Sequence, residues 1–202
     1  MKKATIFCFL SSIALTGCLS TTPTKETQVG YAIYKIKPAE GATATEISGA
    51  LVTALQKNTN SVNVSRDIPP HPLPEQPGRF ELVNPFANSN LGALAAASGN
   101  NLRTPTCEGA IVTAQATDTS MGNYGENTSF HTCLWQYKDG FHLDVYTRFT
   151  VASGSFNPAT LGATLARTVV GDTSQFIPRT LDSIVKEIES TGANVSLVEA
   201  YP

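Results

Sequence analysis

Apolar and polar residues alternate along several short stretches of this chain, a pattern typical of strands that bury one face. Near the start such a stretch contains Tyr31, Ile33 and Ile36, and a second contains Val62 and Val64. Further strands are predicted at residues 80–83, 108–117, 128–138 and 195–200. The alternation therefore predicts that the fold contains a sheet.

Three other stretches place apolar residues at the period of a helix. Thr43 and Glu46 have capping-box spacing at the start of the first, which runs to about residue 57. Asn157-Pro158 is typical of the start of a second helix, and a third is predicted over about residues 174–190. Helices that cover one face of a mostly antiparallel sheet make an α+β fold.

Asp139-Gly140 is the clearest turn signal, because this dipeptide favours a two-residue hairpin loop. With that loop, Leu134 lies opposite Val145 and Trp135 opposite Asp144. The core face of the hairpin is then formed by Phe130, Thr132, Leu134 and Gln136 with Leu143, Val145, Thr147 and Phe149. The other face is formed by His131, Cys133, Trp135 and Tyr137 with Arg148, Tyr146, Asp144 and His142.

This second face allows two interpretations. It could be an exposed partner patch, since aromatic residues and arginine dominate interface hot spots. The residues of that candidate patch are Trp135, Tyr137, His142, Asp144, Tyr146 and Arg148. Alternatively, the proline-rich segment 69–78 and a disulfide cover the face, and its aromatic residues form a second small core.

The N-terminus has the order of an export signal. Lys2 and Lys3 precede an apolar run over residues 4–15, which is too short to span a bilayer. The run ends in Leu15-Thr16-Gly17-Cys18, which resembles the lipobox of bacterial lipoproteins. That resemblance implies that diacylglycerol is joined to the thiol of Cys18 and that the signal is then removed.

The resemblance to small proteobacterial envelope lipoproteins also implies a domain organisation. Residues 1–17 are the signal peptide, residues 18–29 are the lipidated cysteine with a flexible tether, and residues 30–202 form one periplasmic domain. Leu19 after the cysteine, rather than aspartate, implies the outer membrane. The protein is then attached to the membrane by its N-terminal lipid.

Four cysteines have distinct fates in this scheme. Cys8 leaves with the signal and Cys18 carries lipid, so Cys107 and Cys133 remain in the mature domain. In an oxidising compartment such a pair predicts a disulfide, which contributes about 3–4 kcal/mol by restricting the unfolded chain. The alternative, a reactive thiol or metal pair, has no CxxC spacing in its favour.

Charge and motifs argue against several functions. The chain has 14 basic and 16 acidic side chains and no basic stripe, so nucleic acid is not an expected partner. Ser183 and Lys186 match the Ser-x-x-Lys pattern of serine-lysine acylases, but the companion motifs and a Gly-x-Ser-x-Gly elbow are missing. Helical amphipathicity explains the same stretch.

A metal site is not expected either. His131 and Cys133 share a face with His142 and Asp144, but the predicted pairing separates the two histidines by about 20 Å. No cofactor is predicted. We expect a non-catalytic envelope lipoprotein that binds or supports another envelope component, the alternative being a periplasmic hydrolase of cell-wall or acyl substrates.

Overall fold

A computed structural model describes residues 25–87, 89, 103–120, 127–152 and 175–202. Ten elements lie within these ranges. In chain order they are β1 (Lys25–Lys37), α1 (Ala44–Asn58), β2 (Ser61–Arg66), β3 (Glu81–Val83), β4 (Thr104–Thr106), β5 (Val112–Asp118), β6 (Asn127–Tyr137), β7 (Gly140–Ala152), α2 (Phe176–Glu189) and β8 (Asn194–Tyr201).

Six of the strands form one sheet in the order β2-β5-β6-β7-β1-β8, and every neighbouring pair is antiparallel. Strands β3 and β4 form a separate two-stranded sheet. The helices α1 and α2 contact each other and pack on one face of the large sheet. The predicted α+β fold with a mostly antiparallel sheet is confirmed.

The main core lies between this sheet and the two helices. Phe130 and Leu134 of β6 and Val145 of β7 are fully buried there. The helices contribute a buried stripe to the same cluster, which consists of Ile47, Leu51 and Leu55 of α1 and Leu181, Ile184 and Ile188 of α2. The hydrophobic period of the sequence thus correctly predicted which faces of the two helices are buried.

The start of α1 also matches its sequence signal. The Glu46 backbone N–H donates to Oγ1 of Thr43 at 3.2 Å, and the Thr43 backbone N–H donates to Glu46 Oε2 at 2.7 Å. This reciprocal pair is a capping box, which satisfies two of the N–H groups that a helix start leaves unpaired.

The pairing of β6 with β7 differs from the prediction by two residues. Leu134 lies opposite Leu143, and Trp135 lies opposite His142. Tyr137 pairs with Gly140, so the two turn residues are Lys138 and Asp139. Since a shift of two residues keeps every side chain on its face, the two predicted faces survive the correction.

Gly140 is therefore the first residue of β7 and not part of the turn. Its φ is +132°, which L side chains rarely adopt. A Cβ atom at this position would also overlap the carbonyl oxygen of Ile36 in β1. The positive φ and the close approach of β1 together explain the glycine.

The sheet begins earlier than the expected domain boundary. Strand β1 starts at Lys25 and pairs with β7 from that residue onwards, so residues 25–29 belong to the sheet and not to the tether. Residues 1–24 with Cys18 and the helix expected from Asn157 lie outside the described residues. Neither α1 nor α2 is long and apolar enough to cross a bilayer, and they are the helices among the described residues.

Candidate functional site

Residues 67–80, which we call the strap, run across the face of the sheet opposite the helices. The strap is held at Lys138, whose backbone N–H donates to Pro74 O at 3.0 Å and whose ammonium lies 2.5 Å from Glu75. Gly78 rests against the indole of Trp135 so closely that a Cβ atom there would overlap the ring. The proline-rich segment is therefore a cover for this face.

Under the strap lies a second, smaller core. The disulfide joins Cys107 to Cys133 with a Cα–Cα distance of 5.5 Å, which confirms the predicted pair. Trp135 packs beside Cys133 and is 3% exposed, and its indole N–H donates to Glu108 O at 2.9 Å. The remaining members of the cluster are Ala110, Phe80 and Cys107.

This second core corrects the idea of an exposed partner patch. Trp135, Tyr137, Asp144 and Tyr146 are buried, while His142 and Arg148 are half-buried. The physical reason is the cover that the strap and the disulfide provide. The alternative interpretation of this face, a second small core, describes its aromatic residues.

Asp144 is a fully buried carboxylate that joins the strap to the sheet. Its Oδ2 accepts a hydrogen bond from the Phe80 backbone N–H at 3.0 Å. Its Oδ1 lies 3.1 Å from Nε2 of His142 but without hydrogen-bond alignment. The Asp144 carboxylate thus provides the hydrogen-bond acceptor for the backbone of the strap where the strap crosses β7.

The end of the strap is held by an ionic and aromatic cluster. Arg79 forms an ion pair with Glu199 of β8 at 2.7 Å, and the Tyr31 hydroxyl donates to the same carboxylate at 2.5 Å. The Tyr31 hydroxyl, and then Arg79, lower the pKa of Glu199. The Glu199 carboxylate in turn raises the pKa of Tyr31.

The metal-ligating side chains of this face fall into two groups. His131 pairs with Tyr146, and His142 pairs with Trp135, so the histidines are about 13 Å apart at 3.3 Å per residue rather than the 20 Å expected. Nε2 of His131 lies 3.2 Å from Sγ of Cys107, and with Cys133 three ligand atoms lie within 4.8 Å of one another. Both sulfurs are in the disulfide, so this group offers no thiolate to a metal.

A polar cleft of about 170 Å³ lies next to the second core, between β4 and strands β5, β6 and β7. Its wall includes Thr104 and Pro105 of β4. The polar side chains that the sheet contributes are Gln115, Thr117, Ser129, His131, Tyr146 and Arg148. Two of the proposed patch residues, Tyr146 and Arg148, thus line a concave site instead of a flat surface.

Arg148 and His131 give this cleft its electrostatic character. Nη2 of Arg148 donates to the backbone oxygen of Arg103. Burial lowers the pKa of His131, so the imidazole is neutral at pH 7. Among the described residues, no carboxylate forms an ion pair with Arg148, and the cleft therefore has a positive charge.

A second exposed feature is the outer edge of β8. Leu197, Val198 and Tyr201 are 55%, 59% and 56% exposed. Strand β8 pairs with β1 on its inner side, and no other described strand pairs with it. The backbone of this edge is open to pairing with another chain.

Ser183 and Lys186 of α2 make separate contacts with other residues. Ser183 accepts a hydrogen bond from Nδ2 of Asn58 at 2.9 Å, whereas Lys186 forms an ion pair with Asp182 at 2.7 Å. Ser183 thus helps to fasten α1 to α2, and Lys186 lies on the exposed side of the helix. Their contacts are those of helix packing and a surface ion pair.

Comparison with known protein families and with curated proteins found no match to this chain.

Sequence reasoning missed Gln115 and the strap contacts of Arg79 and Glu199. The signal for Gln115 was present, because Ala114 and Ala116 on either side alternate with it and face the core. No local pattern pointed to Arg79 and Glu199, which lie 120 positions apart in the chain.

Proposed function

We propose that this chain is a non-catalytic lipoprotein of the cell envelope that docks another envelope protein through the outer edge of β8. The lipid on Cys18 attaches it to a membrane, in the outer membrane by the sorting habit that Leu19 suggests. The open edge of β8 is the observation that carries the binding function.

Strand β8 lacks several of the devices that usually protect an edge, although its pairing with β1 contains a bulge. Natural edge strands are protected by short length, lysine, proline, bulges or inward-pointing charges. Strand β8 has eight residues without lysine or proline, and it exposes Leu197 and Val198. A bulge at Ile33/Tyr34 in its pairing with β1 interrupts the register but leaves the outer side uncovered.

The other edge of the sheet has a different character. Strand β2 is six residues long, and its valines are half-buried against the core. The side chains that it exposes are Ser61, Asn63, Ser65 and Arg66. Because polar edges resist strand addition better than apolar ones, β8 is the edge that favours an extended partner segment.

The tether length supports a partner at the membrane. Seven peptide steps separate Cys18 from Lys25, so these Cα atoms lie at most about 25 Å apart. Lipid on Cys18 would therefore hold the sheet close to the bilayer. A component embedded in or attached to the same membrane is within reach of β8.

Site-specific photocrosslinking in intact cells tests this proposal. A crosslinking amino acid at Leu197 should give an adduct with one envelope protein, and the same group at Asn63 on β2 should not. The matched variant Val198→Lys should abolish the adduct without changing the melting temperature, because this side chain is 59% exposed.

Amide hydrogen exchange with the purified partner provides the second measurement. Strand addition should protect amides of β8 and leave those of β2 unchanged. Adducts made only with a second copy of the chain, or equal adducts from both edges, would contradict the proposal. The contacts of Ser183 with Asn58 and of Lys186 with Asp182 give the hydrolase alternative no support.

A further inference from the structure

The cleft beside the second core contains a cation without an acidic partner. Arg148 is half-buried, and a guanidinium has five N–H groups, of which the bond to Arg103 O uses one. Among the residues that the structure describes, none supplies a carboxylate to Arg148. A partly desolvated cation of this kind favours an anionic ligand.

We propose that this cleft binds a ligand through a carboxylate group, with Arg148 as the cation that receives it. A carboxylate has two oxygens in one plane, which match the paired N–H groups of a guanidinium. The inference concerns a site separate from the β8 edge and does not depend on the proposed docking function.

Neutral polar groups line the same cleft as Arg148 and are available to a ligand. The side chains of Gln115, Thr117 and Tyr146 have no hydrogen bond to other parts of the described chain. They can donate to a carboxylate or accept from an N–H group next to it. Since His131 is neutral, the cleft has one positive charge from Arg148 and fits a monoanion better than a dianion.

The size of the cleft limits the ligand. Pockets that enclose a whole ligand usually measure about 300–1,000 Å³, so a cleft of about 170 Å³ encloses one small group of a ligand. That is a carboxylate with a short carbon or amide substituent. The group could be a free small acid or the C-terminal residue of a peptide with a small side chain.

Titration of the full folded domain with matched acids and amides tests the site. The probes are N-acetylalanine and trialanine as free acids, their C-terminal amides, and inorganic phosphate, followed by calorimetry and by amide chemical shifts. We expect each acid to bind at least tenfold more tightly than its amide. We also expect the acid to change the amide chemical shifts of Gln115, His131 and Tyr146.

Variants locate the binding to Arg148. Arg148→Gln should weaken binding of the acid about tenfold or more, since a hydrogen bond to a charged group is worth about 1.5–3 kcal/mol. Arg66→Gln on the exposed edge β2 is the matched control and should not change it. If Arg148→Gln lowers the melting temperature, the same titration is made with Arg148→Lys and Gln115→Leu, which should also weaken binding of the acid.

Each outcome either tests the carboxylate site or identifies the source of the carboxylate. Tighter binding of trialanine than of N-acetylalanine identifies a peptide C-terminus as the source, and equal binding identifies a small acid. Equal binding of acid and amide, tighter binding of phosphate, or an equal loss in Arg66→Gln would overturn the carboxylate site. Crosslinking at Leu197 is unaffected by these results, so the two proposals fail separately.

Discussion

At the scale of single residues, buried polar groups connect the strap to the sheet. Asp144 is inaccessible to solvent, yet its Oδ2 accepts the Phe80 backbone N–H. A buried N–H without an acceptor costs free energy, so the Asp144 carboxylate stabilises the position of the strap. A residue without an acceptor atom at position 144 should therefore destabilise the protein.

Replacing Asp144 with alanine should therefore lower the free energy of unfolding by about 1–3 kcal/mol, because the Phe80 N–H loses its acceptor. Asp144→Asn retains an acceptor oxygen and should cost less. Urea unfolding measures both, with the exposed turn residue Asp139→Ala as the control. Equal stability of Asp144→Ala and the wild type would show that the strap does not depend on this bond.

Burial of His131 predicts a pH effect on stability. Its pKa is lowered from 6.5 by desolvation, so between that lowered pKa and 6.5 the unfolded chain binds a proton that the folded chain does not. The free energy of unfolding is then unaffected above pH 6.5 and falls as the pH decreases below it.

Unfolding at pH 7.5 and pH 5.5 checks this effect above the range in which carboxylates titrate. The decrease should be smaller in His131→Gln than in the wild type. The exposed His71→Gln should behave as the wild type does. An identical decrease in all three proteins would assign the pH effect to other groups.

At the scale of elements, the strap replaces an exposed aromatic face with a second core. Gly78 allows the backbone to approach the indole of Trp135 more closely than any side chain would permit. Gly78→Ala should therefore displace the strap and expose Trp135. Since Trp135 is the chain's single tryptophan, its fluorescence should shift to longer wavelength, and the melting temperature should fall.

Gly49→Ala is the matched control for this change. A Cβ atom there meets no other atom within 4 Å, and alanine is better than glycine inside a helix by about 1 kcal/mol. We expect unchanged emission and a slightly raised melting temperature. Unshifted emission in Gly78→Ala would mean that the strap accommodates the methyl group.

Element type and side-chain face could be predicted from the sequence, whereas pairing could not. Alternation in β6 and β7 placed Leu134 in the main core, and that result survives a two-residue change in register. In the observed register Gly140 begins β7 instead of lying in the turn, and its backbone lies against the carbonyl oxygen of Ile36 in β1. A local turn signal has no information about that contact.

The cleft could not be predicted from local sequence patterns for a similar reason. Gln115, His131 and Arg148 belong to three strands and become neighbours only through the order of the sheet. Likewise, the composition of the strap predicted an extended segment, but its path depends on Asp144, which is 64 positions from Phe80. The aromatic residues were therefore placed on the correct face, while the cover over them was left undecided.

At the scale of the whole molecule, only a short segment of sequence lies between the sheet and the proposed lipid anchor. Strand β1 begins at Lys25, so residues 19–24 are all that separate the sheet from Cys18. One acyl chain binds a membrane only marginally, whereas two hold a protein stably. The lipobox interpretation thus predicts a domain that is fixed near the bilayer by Cys18 alone.

Cys18→Ala should abolish incorporation of labelled palmitate and release the protein from the membrane fraction. Cys8→Ala is the matched control, because the lipobox interpretation places Cys8 in the removed signal, and this variant should keep its labelling and membrane attachment. A labelled Cys18→Ala protein would contradict the lipobox. An unlabelled protein that still sediments with membranes would instead show that the uncleaved apolar run over residues 4–15 holds it there, and the proposed position of β8 near the bilayer would then rest on that run.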